Sequence, residues 1–201
     1  MSVSIRLFDA AACPAAVFRL RYEIYVEELN RTQLYACRET RTIRDPLDEF
    51  AHHAVAFDGE QAVGCVRINF AREGDLGRYL DLYEIAKLTA AARETACICT
   101  RNMVRAGYRK TGVSVRMLKE IYKFGMESGM TACFMDVNPP LEGLFEKFGY
   151  KFLFRKEHPE YGLVSVHRLD VLDLAHLKSV RSPFAPLCEA HLARAASLAP
   201  A

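Results

Sequence analysis

Residues Arg109–Ser114 read RKTGVS, and these types in this order suit an anion. Gly112 lets the backbone come close to a ligand. An apolar run ends at Val104, and a helical pattern begins at Gly112. The first N–H groups of that helix point back at the turn and give it partial positive charge. Arg109 and Lys110 add whole charges. A single exposed anion at a helix terminus gains only about 0.3–1 kcal/mol. Several N–H groups and two cations acting together make a cradle for a pyrophosphate or a phosphopantetheine arm. A basic surface turn that merely caps a helix is the competing reading. Neither G-x-x-x-x-G-K-[ST] nor G-x-G-x-x-G occurs, which disfavours an NTPase or a dinucleotide oxidoreductase.

Other reactive side chains are less well placed. Cys97 and Cys99 share one face of an apolar strand, but no second pair completes a zinc site. Cys99 has no histidine beside it in sequence and reads as a buried structural thiol. His52 and His53 point to opposite sides of a strand, so no metal is expected there.

Composition narrows the class. The chain has 201 residues, 51% hydrophobic and 26% charged, the proportions of a folded domain rather than a disordered one. A net charge of +2 gives no global case for nucleic acid. Seven cysteines, an odd number lying mostly in apolar runs, fit reduced thiols in the cytoplasm. The first residues lack the pattern of a signal peptide, and no apolar run reaches the ~20 residues of a membrane span. Charge is locally uneven. Arg101, Arg105, Arg109, Lys110, Arg116, Lys119 and Lys123 stand against the lone acid Glu120, a patch that suits a small anionic ligand or a small acidic partner.

The elements that must position these residues follow from periodicity. SVSIRLF alternates as a first strand. Residues 14–30 are expected to be mostly helix, from Pro14 through Val17, Leu20, Ile24 and Tyr25. Residues 31–50 show no period and read as a loop ending in RDPLDEF. HAVAFDGEQAVGCVRINF is a hairpin about Asp58-Gly59. Residues 76–93 are helical in part, with LYEIAKLTAAA the clearest segment. TACICTRNMV is a strand, and residues 112–127 form a helix with a stripe of Val113, Met117, Ile121 and Phe124, stopped by Gly129. TACFMDV is a strand, PPLEGLFEKFGY a short helix, and KFLF and LVSVHRLDV are final strands paired across HPEYG. This order predicts an α/β fold, a mixed sheet with helices on both faces. Residues 1–172 are expected to be one domain and 173–201 a partly helical tail.

The stretch from Val104 to Phe152 resembles the second half of the GNAT acyltransferase fold. That family's [QR]-x-x-G-x-[GA] motif falls on Arg109–Ser114, and its L-Y-E-K-x-G-F segment on LFEKFGY. The resemblance implies a central sheet whose fourth and fifth strands splay apart around an acyl thioester, with turn N–H groups on its pyrophosphate. Asn102, Met103, Val104, Arg109, Lys110, Thr111, Gly112, Val113 and Ser114 are then the expected carrier-binding residues. The backbone of Asn102–Val104 would also face the oxyanion.

The first half is similar to the branch of acyl-homoserine-lactone synthases and long-chain N-acyl amino acid synthases. Its marks fall on Arg21 with Tyr25, Asp45 with Asp48, Arg67, and Thr100 with Arg101. These arginines and aspartates are expected either to position an amino acid's carboxylate and ammonium or to pin the 31–50 segment; both roles are compatible. Two positions depart from the pattern. Ile98 stands where the lactone synthases carry Glu, and Phe145 where acetyltransferases often carry a proton-donating Tyr. The expected activity is therefore transfer of an acyl group, long-chain by this resemblance, from acyl-CoA or an acyl carrier protein to an amino acid or similar small amine. Thr100, Arg101, Glu84 and Asp136 are the candidate catalytic residues, the last two as general bases. An acetyl-CoA-dependent N-acetyltransferase and a non-catalytic GNAT-fold binding module are the alternatives.

Overall fold

The computed structural model describes residues 3–198. Along the chain it begins with strand β1 (Val3–Phe8) and helix α1 (Ala15–Tyr22), which runs on as a π-helical turn over Glu23–Glu28. A small hairpin, β2 (Ala36–Cys37) and β3 (Thr42–Ile43), precedes a 3-10 turn at Pro46–Glu49. Then come β4 (His52–Asp58), β5 (Gln61–Phe70), α2 (Tyr79–Leu82), a 3-10 turn at Ile85–Lys87, α3 (Ala90–Glu94) and β6 (Ala96–Val104). The rest is α4 (Val113–Glu127), β7 (Ala132–Val137), α5 (Glu142–Glu146), β8 (Lys151–His158), β9 (Gly162–Asp170), α6 (Leu174–Ser179) and α7 (Ala185–Leu198). This is the mixed α/β fold the sequence implies.

Two compact units divide the chain: residues up to Leu76 with Cys99–Ile121, and Gly77–Ile98 with the residues from Tyr122 on. In the first, β1, β4 and β5 form an antiparallel run, registered by Val3 opposite Asp58 and His53 opposite Arg67. Val17, Leu20 and Ile24 of α1 and its π turn bury against Val55, Cys65 and Met103. In the second, the start of β6 runs parallel to β7 from Ala96–Ala132 to Ile98–Phe134. β7 then continues to Val137 alongside antiparallel β9, which pairs with β8. Tyr122 stacks flat on Phe184 at 4.2 Å and fixes the start of α7 in this core.

Local chemistry explains where elements stop. Gly129, at φ +79°, ends α4: its N–H donates to Met126 O and that of Met130 to Gly125 O, satisfying the last carbonyls. Three segments differ from expectation. The α-helix of residues 14–30 ends at Tyr22, because the chain widens into a π turn closed by Leu29 N–H to Ile24 O. The expected 31–50 loop contains the β2–β3 hairpin, too short to show a period. LYEIAKLTAAA is broken: Glu84 is left-handed at φ +57° and Leu88 is extended, after which Thr89 caps α3 through Ala92 N–H.

Candidate active site

Most of the early sequence marks meet in one buried cluster in the first unit. The 3-10 turn at Pro46–Glu49 is a capping box: the Asp48 carboxylate accepts from Asp45 N–H at 2.9 Å, and Asp45 from Leu47 N–H at 3.2 Å. That turn aims both carboxylates inward. Asp48 accepts from Arg21 at 2.7 Å and from Arg67 at 2.9 Å. Asp45 accepts from Arg67 at 2.5 Å and from Arg101 at 2.9 Å. The Arg67 Nε donates to the Thr100 hydroxyl at 3.0 Å, and Arg101 also donates to the Gln33 amide oxygen at 2.8 Å. Tyr25, on the π turn, lies under the Arg101 guanidinium at 5.3 Å, a cation–π contact.

Arg21, Arg67 and His53 are 0% exposed, so the two guanidinium charges and the imidazole are held in a dry interior. Burial acts to raise both carboxyl pKa values, but the basic neighbours win. Asp48 is held well below 3.8 by Arg21 and Arg67, and Asp45 below it by Arg67 and Arg101. His53 was not anticipated as a member. Its Nε2 lies 2.9 Å from an Arg21 nitrogen that can only donate, so this nitrogen is the acceptor and the ring is neutral. Burial pushes the His53 pKa down, against the pull of Asp48. The sequence marks it only as a histidine inside a strand, next to His52. Gln33 gave no signal at all.

Arg101 is left-handed, at φ +56°, in the interior of β6. A non-glycine residue in that region inside a strand is strained. Its carbonyl receives the Cys65 thiol at 3.7 Å. The backbone after it leads through Asn102, Met103 and Val104 into the expected carrier turn.

That turn is left-handed at two positions. Lys110 and Gly112 both have positive φ, +62° and +83°, and a side-chain carbon at Gly112 would meet nothing within 4 Å. Arg116 N–H donates to Gly112 O at 3.1 Å, so Val113, Ser114 and Val115 form the first turn of α4 and their N–H groups have no intrahelical acceptor. Thr111 closes the turn through its hydroxyl to Tyr108 O, and the Ser114 hydroxyl lies 3.3 Å from the Asn102 amide. Arg109 donates to Val104 O at 2.9 Å and pairs with Glu28 of the π turn at 2.5 Å, which braces the bend. Lys110 is exposed.

The remaining candidates lie in the second unit. Glu84 is partly exposed and pairs with Lys87 at 2.7 Å; that bond holds its pKa low and makes it a poor base. Asp136 on β7 is half-buried, and its Oδ1 accepts from the hydroxyl of Tyr83. Phe145 is buried edge-on against Tyr150 and donates nothing. Ile98 is buried in β6. Among the described residues no cluster of three or more His, Cys, Asp or Glu could hold a metal ion, and no helix is long and apolar enough to cross a membrane.

Comparison with solved structures gives the same fold. The CoA-dependent acyl-homoserine lactone synthase MesI superposes with a TM-score of 0.67 at 20% identity, over 98% of this chain and 97% of that one. The synthase BjaI, solved with SAM and isopentyl-CoA, gives 0.70 at 15%, over 95% and 100%. FeeM, an N-acyl amino acid synthase from uncultured soil microbes, gives 0.63 at 13%, over 92% and 99%. No curated protein sequence matches the chain. The family model of the N-acyl amino acid synthase FeeM matches residues 16–161, from the start of α1 through β8. The chain therefore belongs to the N-acyl amino acid synthase FeeM family and is an acyltransferase that passes an acyl group to an amine.

Proposed function

We propose that this enzyme joins an acyl group carried on acyl-CoA to the α-amine of a free amino acid, with a long chain as the expected cargo. The observation that carries the reading is the open turn at Gly112, where three helix N–H groups lack an intrahelical acceptor beside Lys110. Oriented N–H groups at a helix start suit the phosphates of a pantetheine carrier. Asn102, Met103 and Val104 are the proposed backbone contacts for the thioester, and Thr100 and the strained Arg101 are proposed to set their position. The cluster of Arg21, Arg67, Arg101, Asp45 and Asp48, with Tyr25 on its edge, is the proposed recognition region for the amino acid and also fixes the 31–50 segment.

The chemistry balances simply. The amine arrives as an ammonium and loses one proton to a base. Its nitrogen adds to the thioester carbon, the C–N bond forms and the C–S bond breaks. The thiolate leaves with the second nitrogen proton. Phe145 supplies no proton, so the substrate nitrogen itself is the proposed source.

Charge pairing favours acyl-CoA over an acidic carrier protein as donor. Arg101 is buried, while Arg105 and Arg109 are paired with Glu23 and Glu28, which thins the basic patch. Two similar synthases are described as CoA-dependent. The proposed compartment is the cytoplasm, in keeping with seven cysteines that are in no disulfide. Residues 1–172 are the proposed catalytic domain, with 173–201 as a helical appendage; residues 199–201 lie outside the described part.

The test is incubation with acyl-CoA thioesters of graded length and each standard amino acid, following thiol release and product mass. N-acyl amino acids are expected. Acetyl transfer to other amines alone would favour the acetyltransferase alternative. Stabilisation by CoA without any turnover would favour the binding module.

A further inference from the structure

The segment that leads from β6 to α4 is tied down by acids from two places in the first unit. β6 ends at Val104, a 3-10 turn follows at Ala106–Tyr108, and α4 starts at Val113. Arg105 donates its backbone N–H to Val63 O at 2.8 Å and its Nε to Ala62 O at 3.3 Å, and a terminal nitrogen pairs with Glu23. Tyr108 donates its hydroxyl to Asp58, at the end of β4, at 2.7 Å. Arg109 donates its Nε to Val104 O at 2.9 Å and pairs through Nη1 with Glu28 at 2.5 Å. The side chain of each arginine is therefore held at two points, a main-chain carbonyl and a glutamate.

Both glutamates come from the π turn. In an α-helix, two residues five apart lie about 140° apart around the axis. Here the hydrogen bonds step further: Leu29 N–H donates to Ile24 O at 3.0 Å and Arg31 N–H to Tyr25 O at 2.9 Å. A π turn bonds residue i+5 back to i, so residues five apart come to nearly the same side of it. Glu23 and Glu28 have that spacing, and both reach the segment of Arg105 and Arg109. A continued α-helix would turn one of them away. Between them, Ile24 is buried in one cluster with Met103 of β6, and Tyr25 lies under Arg101 at 5.3 Å. One widened turn thus meets the chain at both ends of the stretch from Arg101 to Arg109.

Folding stability does not account for these pairs. The four side chains are 31–42% exposed, and ion pairs that exposed contribute little to folding. What they fix is direction. Directly after Arg109 the chain is left-handed at Lys110, φ +62°, and again at Gly112, φ +83°. A lysine holds that conformation only where its surroundings impose it. The anchors on Arg105, Tyr108 and Arg109 are such a restraint.

We infer that Glu23 and Glu28 are positioning residues for the acyl donor. Through Arg105 and Arg109 they hold the bend in the left-handed shape that presents the first N–H groups of α4 to the donor's phosphates. This rests on the carrier reading of the turn given above, and goes beyond it in naming two acids that no motif marks. A carboxylate beside a phosphate is repulsive by itself, so the benefit reaches the donor only through the arginines.

The experiment titrates CoA into wild type, Glu23→Gln, Glu28→Gln, the double glutamine variant, Arg109→Lys and Gly112→Ala by isothermal calorimetry, and records the melting temperature of each. Glu28→Gln is expected to weaken CoA binding about threefold and the double variant about tenfold, in keeping with the modest free energy of exposed pairs. The sign is the test, since each change removes negative charge from the edge of an anion site. Arg109→Lys keeps the charge but has no second nitrogen to reach both Val104 O and Glu28, and should lose about as much as Glu28→Gln. Gly112→Ala should lose more than either. Tighter binding in Glu28→Gln overturns the inference, because it shows Arg109 released to grip phosphate directly. Wild-type affinity in both single glutamate variants and the double also overturns it, and a lowered melting temperature beside that affinity would mark pairs that serve folding alone. If Gly112→Ala nevertheless weakens binding, the carrier reading stands and only the role of the glutamates falls. No binding of CoA by wild type, or undiminished binding by Gly112→Ala, overturns the carrier reading and the inference with it.

Discussion

Replacing Asp48 by Asn tests whether the buried cluster is as dry and as tightly paired as it looks. Asn has the same shape, so packing is preserved. It keeps one oxygen but sets an NH2 group, which can only donate, among guanidinium groups that also only donate. Asp48 now accepts from Arg21 at 2.7 Å, Arg67 at 2.9 Å and the Asp45 N–H at 2.9 Å, with all these side chains at 0–4% exposure. The substitution takes the carboxylate away from Arg21 and leaves Arg67 and Arg101 sharing Asp45. Breaking a buried pair by removing one partner costs about 3–5 kcal/mol, far above the ~0–1 kcal/mol of an exposed pair. In a chain of this length that is a fall in Tm of roughly 6–20 °C. The assay is urea unfolding with linear extrapolation, repeated as a function of pH. The folded pKa of Asp48 lies below its ordinary 3.8, so its contribution is fully present above that value and is lost as pH falls through and below it. The variant, already lacking that contribution, should therefore lose less stability than wild type on acidification below about pH 4. A loss under about 1 kcal/mol at neutral pH would refute the reasoning, since it would mean that water already screens the cluster.

Three further substitutions follow from the same structure. His53→Gln should flatten the pH dependence just below 6.5: burial depresses the folded pKa, so wild type loses up to about 1.4 kcal/mol per pH unit there as only the unfolded chain takes up the proton, and urea unfolding at two pH values reads the difference. Gly112→Ala meets no atom but must adopt φ +83°; it should raise the KM for acyl-CoA several-fold with a stability loss of about 1 kcal/mol, measured by steady-state kinetics beside thermal unfolding. Phe184→Ala removes a buried ring stacked on Tyr122 at 4.2 Å, and should cost about 3–5 kcal/mol in the same unfolding assay, a result expected only if the start of α7 belongs to the folded core.

The sequence was readable where one local rule acted alone. The β4–β5 hairpin was visible because alternation flanks Asp58-Gly59. The end of α4 was visible because Gly129 has a conformation that few other residues adopt. Elsewhere two local signals competed. The apolar spacing of residues 14–30 continues past Tyr22, yet the chain widens into a π turn there, and composition carries no mark of that change. In LYEIAKLTAAA strong helix formers surround a left-handed Glu84. Tertiary contacts set that break, as Tyr83 reaches Asp136 from just before it.

The site divides along the same line. Arginines and aspartates stand out in a sequence because burying them is costly, so a strand that carries Arg67 between Val66 and Ile68 announces a partner somewhere. The partner's identity is the part that spacing alone does not give. Asp45 and Asp48 became convincing only once the 3-10 turn was seen to orient both inward. His53 and Gln33 are polar groups that complete the arrangement after the charges are placed, and nothing local requires them. Arg109 shows the converse case. Its charge near a glycine turn suggested a direct grip on phosphate, and Glu28, distant in sequence, pairs with that charge. At the proposed anion site the helix N-terminus and Lys110 then carry more of the recognition. Recognition there should therefore depend on backbone geometry more than on arginine, and a change at Gly112 should weaken acyl-CoA binding more than Arg109→Lys does.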